Sequence, residues 1–230
     1  MHPTFEGICG QDTALTLLSA GLARQRLAPA YLFVGPDGVG KKLTAGRLAE
    51  ALLGRSPVAH PDVLWVEPTY LEKGQLLTVR EAIAQGLRRR GSPQIRLEQV
   101  REMAAFVSRA PLVAGRLLVI VENAETMAEG AANGLLKTLE EPGLATLILL
   151  APERHRLLPT IVSRCQIVPF YRLDELTTRT LLQRQRADEV PAPVLALAQG
   201  SPGQALVAWQ QYEALTAERL TAWEAPPPPP

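Results

Sequence analysis

Unbroken apolar runs alternate, over the first 170 residues, with stretches in which apolar side chains recur every three or four positions. A short apolar run bounded by polar residues is typical of a strand buried on both faces of a parallel sheet. The three- or four-residue spacing is typical of a helix with one buried face. The pattern therefore predicts an α/β fold around a parallel sheet. Five runs are predicted as strands: Tyr31–Val34, Val63–Val66, Leu117–Val121, Thr146–Leu150 and Gln166–Phe170.

Amphipathic helices are predicted between these strands. One apolar stripe lies near the N terminus, and another lies within Leu97–Val107. Thr126 and Glu129 have the spacing of a capping box, which predicts that a helix begins there, and Pro142 is expected to end it.

The pattern changes near residue 170, after which no strand is predicted. Three short helices are predicted instead, the last with Ser201 as N-cap and Pro202 at the first helical position. The polyproline end cannot pack as a helix or a strand. The predicted organisation is a nucleotide-binding-type domain at 1–170 with an exposed, partly helical insertion at 71–94, a helical domain at 171–215, and a proline-rich tail or linker at 216–230.

A glycine-rich loop directly follows the first predicted strand. Gly35, Gly38, Gly40 and Lys41 have the spacing G-x-x-x-x-G-K, and a helical pattern follows them. In such loops the backbone N–H groups bind phosphate oxygens, the helix dipole favours an anion, and the lysine reaches further phosphates. A strand and a helix flank the motif in the right order, which favours a phosphate-binding loop over a plain glycine-rich turn.

The groups needed for ATP hydrolysis are incomplete. A Ser or Thr hydroxyl that ligates Mg²⁺ is expected after the lysine, but Lys42 occupies that position. Glu122 and Asn123 follow the strand at Leu117–Val121. Glu122 could replace the usual metal-binding Asp, whereas Asn123 cannot act as a general base. The pattern leaves open a weakly bound nucleotide and predicts no hydrolysis at this site.

Composition narrows the class of protein. Hydrophobic residues make up 47% and charged residues 20% of the 230 positions, which excludes a disordered or fibrous chain. The net charge is +1, but residues 80–116 and 154–186 each carry +5 and residues 117–153 carry −5. Near-neutrality thus excludes a stand-alone basic nucleic-acid binder and little else.

The cysteines and the termini indicate the compartment. Cys9 and Cys165 are too far apart in sequence for a C-x-x-C metal or redox motif, and so few thiols favour a reducing compartment. Neither a signal peptide nor a membrane span is predicted, so we expect a cytoplasmic protein without a membrane partner.

Two motifs carry a resemblance to a known family. Residues 131–142 read A-A-N-G-L-L-K-T-L-E-E-P, and Ser163, Arg164 and Cys165 follow later. Together they resemble the bacterial clamp-loader subunits of DNA polymerase III, over roughly residues 5–210. The incomplete phosphate loop is similar to that of the delta-prime branch rather than the ATP-hydrolysing gamma/tau branch. The resemblance implies an AAA+ fold, in which a RecA-like domain precedes a three-helix lid.

The resemblance also implies roles for individual residues. Arg164, within its Ser-Arg-Cys motif, corresponds to an arginine finger that is inserted into the ATP site of a neighbouring subunit. Gly203 stands where the motor subunits carry a nucleotide-sensing arginine. Arg101 resembles a position that contacts primer–template DNA, and Arg96 lies close before it, although a solvated helix face explains them equally well. The basic run at 88–90 could also touch DNA, but such insertions are commonly just solvated.

Relatives of this kind also have features that are missing here. The segment 53–59, where many carry a four-cysteine zinc module, is short and contains no cysteine, so no zinc is expected. Relatives also have a helical C-terminal collar domain, which this chain is expected to lack or to have lost.

Three functional hypotheses follow. The first is a non-hydrolysing clamp-loader subunit of the DNA polymerase III holoenzyme that works with gamma/tau, delta, the sliding clamp and primed DNA. The second is a self-sufficient P-loop ATPase or small-molecule kinase, for which Lys42 and Asn123 would have to be bypassed. The third is a pure scaffold subunit with an idle finger.

Overall fold

A parallel sheet organises the chain. The computed structural model describes residues 3–87, 91–186 and 189–224, with side chains over 4–87, 91–186 and 189–215. It divides into two compact units, Met1–Gly35 with Lys41–Phe170 and Pro36–Gly40 with Tyr171–Pro230. The described strands are β1 (Ala30–Val34), β2 (Val63–Val66), β3 (Thr69–Glu72), β4 (Gln75–Thr78), β5 (Leu117–Val121), β6 (Ala145–Ala151) and β7 (Gln166–Pro169).

Five of these strands form the main sheet of the first unit. Their order is β2-β5-β6-β1-β7, and every neighbouring pair is parallel. Strands β5 and β6 are buried along their whole length, because helices cover both faces of a parallel sheet. The predicted α/β fold with a parallel sheet is confirmed.

Helices α1 to α6 belong to the first unit and α7 to α9 to the second. The helices are α1 (Asp12–Ala23), α2 (Lys41–Leu53), α3 (Val79–Ala84), α4 (Leu97–Val107), α5 (Glu129–Glu140), α6 (Pro159–Val162), α7 (Glu175–Arg186), α8 (Ala192–Ala198) and α9 (Pro202–Glu224). In the described ranges, no helix combines the length and the apolar character needed to cross a membrane.

Helices α4 and α5 pack closely, and this explains a glycine in the 131–142 motif. A Cβ atom at Gly134 would lie 3.1 Å from a methyl group of Leu97. The start of α4 is anchored by the buried Gln99, whose amide donates to Glu67 O at 2.9 Å and accepts from Thr69 Oγ1 at 3.1 Å. Its oxygen also accepts from Arg96 N at 3.0 Å.

The capping-box prediction for α5 is wrong. Helix α5 begins at Glu129 with Ala128 as N-cap, and Ala128 provides no side-chain cap. Thr126 lies instead in a 3₁₀ turn, where its hydroxyl donates to Asn123 O at 2.7 Å. The Thr126 hydroxyl therefore stabilises the turn after β5 and does not cap α5.

The insertion at 71–94 includes structure that was not predicted. Strands β3 and β4 form an antiparallel hairpin, whose two turn residues Lys73 and Gly74 have φ angles of 49° and 84°. Two consecutive positive φ angles are typical of a type I′ turn. The helical part is α3, which has a true capping box between Thr78 and Glu81.

The second unit has its own apolar core. Asp174 caps α7 by accepting from the Thr177 backbone N–H at 2.7 Å. Helix α9 continues to Glu224 and so extends into the segment 216–230 that is predicted as a tail or linker. The prolines at 226–230 lie outside the described residues. The core side chains are Leu182, Val190, Val194, Leu195, Ala198, Ala205, Ala208 and Trp209.

Candidate functional site

The ends of the glycine-rich loop belong to the first unit. Gly35 follows β1, and its N–H donates to Ala151 O at 3.2 Å. A Cβ at this position would lie 2.8 Å from the Cβ of Phe170, so the close backbone approach requires glycine. Lys41 begins α2, is only 8% exposed, and donates from Nζ to the Gly35 carbonyl.

The middle of the loop, Pro36–Gly40, belongs to the second unit. The Gly38 carbonyl accepts from Gly203 N at 2.9 Å, and Ser201 Oγ donates to Asp37 O at 2.6 Å. A Cβ at Gly203 would lie 2.7 Å from the Gly38 Cα. Backbone packing thus requires glycine at position 203, where the family resemblance predicts that an arginine has been replaced. Gly40 has a φ of +109°, a conformation that favours glycine.

Lys42 and Glu122 form an ion pair at the end of β5. The Lys42 ammonium lies 2.6 Å from Glu122 Oε1, and the side chains are 63% and 16% exposed. The same ammonium lies 5.7 Å from the centre of the Trp65 ring. The Glu122 carboxylate therefore has an internal counter-ion.

These side chains do not fit the magnesium ion that P-loop ATPases bind at the corresponding residues. Mg²⁺ needs oxygen ligands, and position 42 provides an ammonium that already binds the Glu122 carboxylate. Asn123 has φ 50° and ψ 51°, a left-handed conformation that Asn tolerates better than most residues. Its residue type thus suits the turn after β5, and its amide provides no general base.

Arg164 lies in the loop between α6 and β7, with a side chain that is 34% exposed. Its Nε donates to Glu140 Oε1 at 3.0 Å, its Nη2 donates to the same oxygen, and its Nη1 donates to Thr160 O at 2.9 Å. Ser163 Oγ also donates to Thr160 O, at 3.1 Å. The guanidinium is ordered at the surface by its own chain.

Cys165 packs partly buried against the main core. Burial raises the pKa of its thiol to about 12, so the thiolate that a nucleophile requires is not formed near neutral pH. The residue fits the packing role predicted for it.

The candidate DNA contacts lie at and on α4. Arg96 is the N-cap residue and is partly buried, while Arg101 is exposed on the helix. The run at 88–90 lies outside the described residues. The structure thus gives Arg101 the exposure that a phosphate contact needs, and DNA contact stays a prediction.

Asp62 is a structural residue that the sequence analysis did not single out. It is fully buried, and its carboxylate accepts backbone N–H bonds from Leu112, Val113 and Ala114 at 2.7, 2.7 and 2.8 Å. Burial raises the pKa of Asp62, but these hydrogen bonds and the nearby His60 outweigh burial and hold the pKa below its usual value. The carbonyl of Asp62 also accepts from Leu118 N at 2.9 Å, so Asp62 fixes the start of β5.

The fold and the loop together define a class of protein. A five-stranded parallel sheet carries a G-x-x-x-x-G-K loop after β1, and a helical unit follows the last strand. This is the arrangement of the AAA+ class of P-loop proteins.

Comparisons with known proteins identify the family. A sequence model described as DNA polymerase III, delta subunit, matches residues 10–174. The DNA polymerase III subunit delta′ of Pseudomonas aeruginosa is 35% identical over 221 residues, covering 86% of this chain and 57% of that protein. The subunit delta′ of Bacillus subtilis is 32% identical over 187 residues, covering 81% and 55%. The chain thus spans slightly more than half the length of these relatives.

A solved structure agrees with these matches. The crystal structure of a gamma-subunit-related protein of DNA polymerase III from Thermotoga maritima has a TM-score of 0.61 and 25% identity, covering 86% of this chain and 58% of that one. The chain belongs to the delta-prime family of DNA polymerase III clamp-loader subunits.

Proposed function

We propose that this chain is a non-hydrolysing stator subunit of a cytoplasmic clamp loader. It supplies Arg164 in trans to the ATP site of a neighbouring gamma/tau subunit and helps to load the sliding clamp on primed DNA. The proposal is supported by a contrast in the first unit between an incomplete hydrolytic site and an ordered surface arginine. The residues at 42 and 123 are unsuited to hydrolysis, whereas Arg164 is held at the surface with its guanidinium ordered by three hydrogen bonds.

The chemistry of Arg164 suits a trans-acting finger. A guanidinium is always charged and presents planar N–H donors that match phosphate oxygens. Placed beside the γ-phosphate of a neighbour, it would stabilise the charge that develops as the phosphate is transferred. Ser163 and Cys165 would act indirectly, the first by bonding Thr160 O and the second by packing on the core.

The chain's own loop is proposed to need no metal or other cofactor, and no zinc. Lys42 already neutralises Glu122, and Lys41 already has a backbone acceptor at Gly35. Any nucleotide bound at this loop would therefore have a structural role.

The wider partners are proposed from the family. They are the gamma/tau motor subunits, the delta subunit, the sliding clamp and primer–template DNA. Arg101, together with Arg96 at the N-cap of the same helix, would contact DNA phosphates, which gives affinity without reading sequence.

The test is a reconstituted clamp loader with the full-length protein carrying Arg164→Ala. We expect normal assembly and a reduced ATPase of the motor subunits in the presence of clamp and primed DNA. The matched control is Arg179→Ala, because Arg179 is also an exposed arginine paired with a glutamate, Glu175, at 3.0 Å.

The outcomes separate the three hypotheses. An unchanged ATPase in Arg164→Ala would favour a pure scaffold. Mg²⁺-dependent ATP turnover by the purified chain alone, above that of a Lys41→Ala variant, would instead favour a self-sufficient ATPase and contradict the stator proposal.

A further inference from the structure

Glu140 makes two hydrogen bonds to the guanidinium of Arg164. Its Oε1 accepts from Nε at 3.0 Å and also from Nη2, while Thr160 O holds Nη1 at 2.9 Å. Within the part of the chain that the structure describes, three of the five N–H donors of the guanidinium are engaged by Glu140 and Thr160, which leaves two for a ligand. Two acceptor atoms, Glu140 Oε1 and Thr160 O, thus hold the guanidinium plane in place.

The position of Glu140 is not explained by stability. Glu140 is the last residue of α5, where the helix dipole disfavours a carboxylate. Its side chain is 50% exposed, and exposed ion pairs of this kind contribute little to folding. A carboxylate at this unfavourable position needs another reason.

We propose that Glu140 is the positioning residue for Arg164, an inference that rests on the proposed function of Arg164 as a trans-acting finger. An arginine side chain loses considerable rotamer freedom when it is fixed beside a phosphate. Glu140 restricts that freedom before the neighbouring subunit binds, so less is lost when the finger enters the ATP site. The two remaining donors are those that contact the phosphate.

An ion pair can also hinder a finger by competing with phosphate for the guanidinium. The direction in which a Glu140 substitution changes the ATPase of the motor subunits distinguishes positioning from competition. If Glu140 mainly competed with phosphate for the guanidinium, removing its carboxylate would release the finger and raise the motor's ATPase. If Glu140 positions the finger, removing the carboxylate lowers that ATPase.

The test uses three variants of the full-length protein in the reconstituted clamp loader with clamp and primed DNA. Glu140→Ala should lower kcat for ATP by about tenfold and leave KM unchanged, because a less ordered finger stabilises the transition state less while the neighbouring subunit still binds ATP with its own loop. Glu140→Gln keeps a neutral acceptor for the guanidinium, so its kcat should fall only about threefold. Glu141→Ala is the matched control, since Glu141 is the adjacent exposed carboxylate beyond the end of α5.

A double-mutant cycle shows whether Glu140 acts through Arg164. Glu140→Ala should cost nothing further in an Arg164→Ala background, because the residue that it positions is gone. In the isolated chain, the Arg164 Nε–H resonance should exchange faster with water in Glu140→Ala than in the wild type.

Each outcome has one interpretation. A loss of activity in Arg164→Ala without a loss in Glu140→Ala would overturn the positioning role and leave the finger intact, as would a rise in kcat in Glu140→Ala. An additive double mutant would also overturn it. An unchanged ATPase in Arg164→Ala would overturn both proposals together.

Discussion

Replacing Asp62 by Asn tests the physical account of how the first unit is held together. The carboxylate of Asp62 is completely buried and accepts three backbone N–H groups from the loop before β5, at 2.7 to 2.8 Å. Oδ1 accepts one of these bonds and Oδ2 accepts two. In Asn, the best orientation places the amide oxygen at the Oδ2 position and an NH₂ group against the N–H of Leu112.

The magnitude follows from counting these bonds. A hydrogen bond to a charged group contributes about 1.5–3 kcal/mol and a neutral one about 1 kcal/mol. The substitution converts three charged bonds into two neutral ones and turns an NH₂ group toward the Leu112 N–H, which loses its acceptor. Removing the charge also relieves its burial cost, so we expect a net loss of about 2–4 kcal/mol in the free energy of unfolding at pH 7.

The pH dependence has a definite sign. Because the pKa of Asp62 is lower in the folded chain than in the unfolded chain, its contribution is present above the unfolded pKa of about 3.9. That contribution is lost as the pH falls through the lower, folded pKa. The difference between wild type and Asp62→Asn should therefore shrink below about pH 4.

The assay is urea unfolding followed by circular dichroism at pH 7 and at pH 3. Asp12→Asn is the control, because Asp12 is an exposed carboxylate in the first turn of α1. This variant should lose less than about 1 kcal/mol in the free energy of unfolding. A loss below about 1 kcal/mol for Asp62→Asn at pH 7, or a loss that does not change with pH, would refute the reasoning.

Two further predictions concern the glycine-rich loop and the residues around it. Lys42→Thr removes the ammonium from Glu122 and supplies a hydroxyl, so Mg²⁺ should raise the affinity for ADP at least about tenfold in the variant and not in the wild type. Calorimetric titration of ADP with and without Mg²⁺ measures this difference. An equal effect of Mg²⁺ on both chains would contradict the prediction. Gly203→Ala places a Cβ 2.7 Å from the Gly38 Cα and should destabilise the second unit by about 1–3 kcal/mol in thermal unfolding. Gly130→Ala in α5 is its control, because a Cβ there would meet no other described residue within 4 Å apart from its own helix and chain neighbours, and it should be neutral or stabilising. Equal effects of the two glycine substitutions would show that backbone packing is not the cause.

The parts of the fold that sequence predicted are those set by local pattern. The central strands β5 and β6 are buried along their whole length, and this makes them visible as unbroken hydrophobic stretches. Strands β2 and β5 and helix α4 have the predicted bounds, because each coincides with a complete run or a complete amphipathic repeat. Strand β6 is one residue longer at each end than its predicted run, Thr146–Leu150.

The parts that were missed depend on contacts between distant residues. Asp62 binds a loop 50 to 52 residues away, and no local pattern predicts which backbone N–H groups a buried carboxylate will meet. Gly203 was interpreted only as a lost arginine, yet its close approach to Gly38 supplies a packing reason for the glycine. The hairpin did have a local signal, a Lys73–Gly74 pair between two apolar stretches, which was overlooked.

The ion pair between Lys42 and Glu122 places a covalently attached cation at the position where P-loop ATPases bind an exchangeable metal ion. A metal ion is exchanged with solvent, and its occupancy varies with its concentration and with the nucleotide present. The Lys42 ammonium is attached through the polypeptide, so its local concentration beside Glu122 does not depend on the solvent or on the nucleotide present. In the proposed stator role, the electrostatics of this surface would not report which nucleotide is bound, and nucleotide-driven changes would have to originate in the neighbouring subunits.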